Sequence, residues 1–375
     1  MKKLVLLIVL MTFLMACGCG TETPTSSPNS KSPQHSINGD QGSNKEQVIN
    51  EKQEINISEQ NVHSFKDAYP IGVLPKNEKV FLQITEDTDN KILITDANGE
   101  KVIKEIPATK NKDIYSAAVT DKWIVYAEAS NDLIKWDWAI YAIDTESEKK
   151  VQVDMWKLDE SSTAFDVPTM IGPKISASNQ QVAWSTFEAD SKNAVKAIVK
   201  MYDLKNNSYK IIDEIDAKEG EFGHPSISGE WIVYDKGKID TEKQGRFGSI
   251  FLVNTKDNSK KMLEEGMNVV APAINYPYIV WGSGRSTIKI YDDKKQTTKI
   301  VVQNNGTEYW NFTINDKYVA WYSTKDSLDV YSIKENKIIS LIDTGVTNGG
   351  KLSNNLLWWY KLGEGTTQWL ELDLE

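Results

Sequence analysis

Residues 271–302 read APAINYPYIVWGSGRSTIKIYDDKKQTTKIVV. Four short runs can be cut from this stretch. Pro272-Ala273-Ile274-Asn275 precedes a tight turn, and Tyr278-Ile279-Val280-Trp281 is an apolar quartet closed by an aromatic. Ile288-Lys289-Ile290-Tyr291-Asp292 alternates and ends on an acid, and a polar turn leads to Lys299-Ile300-Val301-Val302. Period-two alternation with β-branched and aromatic enrichment marks strands, not helices. The stretch is therefore four short antiparallel strands, here called A to D.

The same unit recurs on both sides. The quartet reappears as Trp123-Ile124-Val125-Tyr126, Val182-Ala183-Trp184, Trp231-Ile232-Val233-Tyr234, Tyr318-Val319-Ala320-Trp321 and Leu356-Leu357-Trp358-Trp359, with a degenerate copy at Val80-Phe81-Leu82. A polar turn stands before the copies, as in Thr120-Asp121-Lys122, Ser228-Gly229-Glu230 and Asn315-Asp316-Lys317. Alternating strands ending near an Asp follow, as in Ile140–Asp144 and Val199–Asp203. Four-stranded units repeated in this way close around an axis as a β-propeller. The expected fold is all-β, with seven blades by count and six as the alternative. The last unit runs out after its third strand near Leu370–Leu374, so a strand within residues 65–75 is expected to complete the ring and remove two sheet edges.

The pattern resembles the TolB-like (WD40-like) propeller repeat of bacteria and archaea: P-A-I, a turn, I-V-W, a loop that often bears Arg, then I-x-Y-D-L. The resemblance covers about residues 65–375. Residues 271–302 carry it best, 221–263 match less well and 310–342 partially. The Y-D pair is replaced by Val253-Asn254 in one unit and Tyr331-Ser332 in another. The resemblance implies a propeller; it does not imply one activity, since such scaffolds serve many ends.

The chain opens MKKLVLLIVLMTFLMAC. Lys2 and Lys3 precede an apolar run from Leu4 to Met15 that is shorter than the ~20 residues a membrane-spanning helix requires. It fits the apolar region of a signal peptide. Leu14-Met15-Ala16-Cys17 resembles the bacterial lipobox, which implies cleavage before Cys17 and lipid on its thiol; a plain secretory signal with Cys17 incidental is the alternative. Residues 20–64 are polar, with no aromatic between Phe13 and Phe65. Such a segment buries too little apolar surface to offset its chain entropy. The expected organisation is a signal peptide over 1–16, a lipidated Cys17 and disordered tether over 17–64, and a propeller over 65–375. The expected location is the extracytoplasmic face of the cell membrane. As a flexible coil the tether reaches roughly 35–40 Å.

Composition narrows the function. With 43 Lys+Arg against 53 Asp+Glu the formal charge is -10, unsuited to wrapping nucleic acid. Three His and two Cys leave little for a metal site, and no cofactor or metal is expected. Nucleophile-elbow, phosphate-loop, dinucleotide and zinc-protease motifs are missing. The A–B and C–D turns are short, whereas the B–C and D–A connections are long: Ala127–Trp136, Thr186–Ala194 and Asp235–Gly248, and Asp154–Pro173 and Asp213–Gly223. Variable loops on a repeated scaffold are where binding concentrates. That face offers Trp136 and Trp156 as contact aromatics. Arg246 and Arg285, the only two Arg, are read as an anion clamp or as structural donors. An acidic stretch runs from Asp213 to Glu221, read as a solvated loop or as carboxylates for chemistry, and His224 begins a strand A near the central channel. The leading expectation is a surface-tethered binding or scaffolding module for an envelope protein or cell-wall polymer. The alternative is an extracellular glycan hydrolase or lyase using carboxylates at the channel mouth.

Overall fold

The computed structural model describes residues 52–56, 60–83, 90–130, 137–157, 172–189, 195–242, 245–284, 286–303, 309–323, 327–342, 344–361 and 364–372. They form seven sheets of four or five strands. Blade one is built by Ala68–Val73, Lys79–Gln83, Lys91–Thr95 and Val102–Pro107; blade two starts at Lys112–Val119, blade three at Ile175–Ser178 and blade four at Ser226–Ser228. Blades five, six and seven start at Val270–Asn275, Tyr309–Ile314 and Val346–Ser353.

The apolar quartet is continuous because both faces of strand B are buried, one against each neighbouring blade. Seven hydrophobic clusters result, one for each contact between adjacent blades. The second and fourth quartet residues face the preceding blade, so Ile279 and Trp281 pack with Leu252 of blade four. The third faces the following blade, so Val280 packs with Trp321. Trp184, Trp321 and Trp359 are 0% exposed. The seventh contact joins blade seven to blade one through Trp358, Trp369 and Phe81, and seven blades, not six, close the ring. Pairing places Val80 opposite Ile94, with the turn-capping Asp96 two residues beyond. The aromatic position of the degenerate copy is therefore Phe81, one residue earlier than Leu82.

The C–D turns explain the acid that ends strand C. Asp203 Oδ1 accepts from the backbone N–H of Lys205 and Asn206 at 2.9 and 3.0 Å. Asn254 accepts from Lys256 at 2.9 Å and Ser332 Oγ from Glu335 at 3.1 Å. The two departures from the Y-D pattern thus keep its function, since a short polar side chain that caps a turn is all the position requires. One residue further on, the backbone N–H of Leu204, Thr255 and Ile333 donates to Gln180, Glu230 and Lys317 in the A–B turns. Both sets of short turns therefore lie on one face, as expected.

The N-terminal chain closes the ring earlier than expected. His63–Lys66 pairs antiparallel with Thr366–Glu371 as the outer strand of blade seven. Ala68–Val73 then begins blade one, so the window 65–75 holds part of the clasp and a separate strand A. Lys52–Asn56 adds a parallel strand to Lys337–Ile342 of blade six. The strand Lys52–Asn56 falls within the stretch read as tether, and His63–Lys66 straddles its end. Isolated, they have little apolar content; here they gain backbone partners along open sheet edges, and Phe65 stacks on Phe81 at 4.5 Å.

Candidate functional site

The innermost strands carry small polar side chains that tie one blade to the next. Ser116, Ser176, Ser226 and Thr313 accept the backbone N–H of Ile175, Ile227, Ile274 and Leu352 on the following blade at 3.1–3.3 Å. Ser353 accepts that of Val73 at 3.1 Å, across the closure. Strand A has one ladder partner within its own blade, so these hydroxyls satisfy donors that would otherwise face the axial channel.

Three side chains interrupt this wall. Lys174 and His224 stand two residues before Ser176 and Ser226, on adjacent blades, and both are open to the channel. Lys351 stands one rung deeper on blade seven, half-buried and paired opposite Trp358. Two blades separate it from His224 around the shorter arc, so their interaction crosses the axis. Enclosure by the ring is the main cause that holds the imidazole down to about 4, followed by the Lys174 charge, with Lys351 adding to it. The ring is hydrogen-bonded to the backbone of Lys174, which opposes the shift. Enclosure alone pulls the Lys351 ammonium down to about 8, and lowers Lys174 likewise. The channel therefore holds bases whose charged forms lack compensation by a carboxylate among the described residues.

A brace fixes His224 from behind. Asp235 is 3% exposed and contacts Arg246. Burial raises its pKa, with the guanidinium opposing. Arg246 Nε also reaches Glu221 at 3.4 Å, and the Gly223 N–H donates to the Asp235 backbone carbonyl at 2.9 Å. A methyl group at Gly223 would stand 2.1 Å from Asp235 Oδ1, so only glycine lets the chain pass over this carboxylate into His224.

Several expected site residues sit elsewhere. Arg246 lies within the strand Gly245–Asn254, not in a loop, because Trp231–Asp240 and Gly245–Asn254 form a longer hairpin than the sequence suggests. Its guanidinium is ion-paired with Asp235 and Glu221, which is the structural role. Trp156 lies in the outer strand Lys150–Lys157, paired opposite Trp138 and packed against the cluster between blades two and three; it is half-buried and not a loop aromatic. Of the acidic stretch, Asp213 accepts from Tyr234 at 2.8 Å and pairs with Lys260 at 2.6 Å, and Glu214 pairs with Lys196 at 2.7 Å. These carboxylates belong to the strand Ser208–Asp216 at the blade edge. Cys17, Trp136 and Arg285 lie outside the described residues. Lys174 and Lys351 were missed, and the available signal was a lysine where strand A elsewhere carries Ser, Ala or Thr.

The short-turn face bears an open groove of about 680 Å³ lined by Ser178, Gln181, Asp203, Glu230, Trp231 and Tyr276 among others. Trp231 and Tyr276 stack in it at 4.7 Å with 3° between planes.

No family model matches the chain, and no curated protein matches it significantly. Solved structures match the fold. An oligogalacturonate lyase from Vibrio parahaemolyticus aligns with TM-score 0.56 and 10% identity over 84% of this chain and 92% of that one. A prolyl endopeptidase aligns with TM-score 0.56 and 10% identity over 83% of this chain; the chain spans 51% of that protein's length. The propeller domain of the Trilobed protease from Pyrococcus furiosus, which has an open velcro topology, aligns with TM-score 0.52 and 14% identity over 78% of this chain and 91% of that one. At such identities the likeness extends to the β-propeller fold and no further.

Proposed function

We propose that the protein is a lipoprotein anchored at Cys17 to the extracytoplasmic face of the cell membrane, with a propeller that binds an envelope protein or a cell-wall polymer. The observation that carries the binding reading is the convergence of Lys174, His224 and Lys351 on one channel, where a pair of carboxylates would be needed for hydrolysis of a glycan. Within the acidic stretch that precedes His224, Asp213, Glu214 and Glu221 are engaged with Lys260, Lys196 and Arg246. That leaves the glycan hydrolase or lyase as the second reading, shared with a fold that also serves an oligogalacturonate lyase. The anchor rests on the lipobox-like Leu14-Met15-Ala16-Cys17; two acyl chains make membrane retention stable where one does not.

Two measurements test this. Membrane fractionation of Cys17→Ser is expected to show released protein or unprocessed precursor, and normal processing with full retention would overturn the anchor. Cross-linked pull-down from intact membranes is expected to capture a protein or wall fragment. Release of new reducing ends from wall glycans by the purified protein would favour the enzyme instead.

A further inference from the structure

Some lysines elsewhere in the blades are matched by acids, whereas Lys299 is met by the Tyr331 hydroxyl and Lys150 by the rings of Tyr126 and Tyr141. Lys200 reaches Asp154 at 3.2 Å and also contacts Glu188, and Lys289 pairs with Glu264 at 3.0 Å. Lys174 and Lys351 have no such partner among the described residues, although the chain carries a formal charge of -10. The equivalent places on other blades hold Ser116, Ser226, Ala271, Ala273 and Thr313, so the fold does not require a cation there. An uncompensated cation in an enclosed site destabilises the folded state. A counter-charge arriving from outside reverses that penalty.

We propose that the axial channel binds an anionic group, a carboxylate or a phosphate of the partner, between Lys174 and His224 on blades three and four and Lys351 on blade seven. This rests on the binding reading of the propeller and is independent of the lipid anchor. Lys174 and His224 stand near the start of strand A, so the anion enters from the D–A side and meets Lys351 one rung deeper. Lysine is a point charge without the fixed fork of arginine, so charge and channel width select the ligand more than donor geometry does. Burial comes first in keeping the imidazole neutral, and the charges of Lys174 and Lys351 act in the same direction against the hydrogen bond to the Lys174 backbone. An anion seated among them favours the protonated forms of His224 and Lys351. Binding is therefore coupled to proton uptake and tightens as pH falls from 8 towards 6.

The test is isothermal titration of the full-length protein in nonionic detergent with citrate and with pyrophosphate, at constant ionic strength, against chloride. Running it in buffers of different ionisation enthalpy reads the protons taken up. Saturable binding with proton uptake is expected for at least one anion. Citrate alone identifies a carboxylate site, pyrophosphate alone a phosphate site, and both a site selected by charge. Lys174→Gln and Lys351→Gln are each expected to weaken binding by about tenfold or more. His224→Gln is expected to remove part of the proton uptake and leave most of the affinity. Without anion, both lysine variants are expected to melt at or above the wild-type temperature, since each removes repulsion. Binding no stronger than that of chloride, affinity unchanged in the lysine variants, binding without proton uptake, or lysine variants that melt well below wild type would each overturn the assignment. If the anions fail to bind while a membrane partner is still captured, the channel site falls and the binding reading stands. If they bind and no partner is captured, the channel site stands and the macromolecular partner falls.

Discussion

The contacts between blades and the wall of the axial channel are built from the same repeat, yet they treat it differently. Between blades, every unit presents the same packing problem. Six of the seven copies answer with Trp or Tyr in the fourth quartet position, and blade one substitutes Phe81. Along the channel, the wall needs only a small side chain and a hydroxyl for the next blade, and most copies supply Ser, Ala or Thr. Lys174, His224 and Lys351 exceed that requirement. A residue that departs from a repeat where the repeat imposes little is a stronger pointer to function than one that obeys it where packing imposes much.

The largest effect expected from breaking the contrast is on the packing side. Trp281→Ala, which empties a site 1% exposed, should lower stability by roughly 3–5 kcal/mol in denaturant melts. A loss under about 1 kcal/mol would mean that adjacent blades do not share a packed core. Trp156→Ala sharpens the comparison, because the half-buried outer strand should lose clearly less than the inner one. A loss as large as that at Trp281 would make Trp156 full core.

The brace behind His224 comes next. Gly223→Ala pushes a methyl group into the Asp235 carboxylate and should cost about 1–3 kcal/mol. Because the chain shifts directly before His224, the proton uptake that accompanies anion binding should fall with it. An unchanged melting curve would show that the chain there yields freely.

Channel-wall hydroxyls should matter less. Ser226→Ala leaves the Ile274 N–H to the channel water and should cost roughly 0.5–1.5 kcal/mol. A loss matching that of Trp281→Ala would overturn the division between packing and wall.

A further effect, confined to acid pH, is on pH dependence. His224 is held at about 4 in the folded state, against 6.5 for an unperturbed imidazole. Its folded form binds the proton less readily than its unfolded form, so its contribution is complete above pH 6.5 and is lost as pH falls towards 4. Melting temperatures of wild type and His224→Gln should therefore converge, or cross in favour of the variant, between those values. Parallel profiles would show that the imidazole is not enclosed by the lysines.

Much of this molecule was legible from the chain. The strand type, the four-strand unit and the seven-fold count follow from the quartets, because a strand buried on both faces must be continuously apolar. The turn acid of strand C was equally visible. Legibility failed where a side chain's meaning depends on register. Aligned on proline, Pro173-Lys174-Ile175 matches Pro225-Ser226-Ile227. Pairing instead places Ser178 opposite Gln181 and Ser228 opposite Trp231, which sets Lys174 level with His224, two residues away from the proline alignment. In strand A a proline binds no ladder partner through its nitrogen, so it can stand at more than one rung.

Local periodicity and turn chemistry, read along one strand, determined the repeat and its class, because they depend on neighbours within a few residues. Only the closed ring decided that residues 63–66 seal blade seven, that Arg246 is spent on Asp235, and that bases from blades three, four and seven face one another. Those contacts join residues up to about 300 positions apart in the chain, and no local pattern records what lies across an axis.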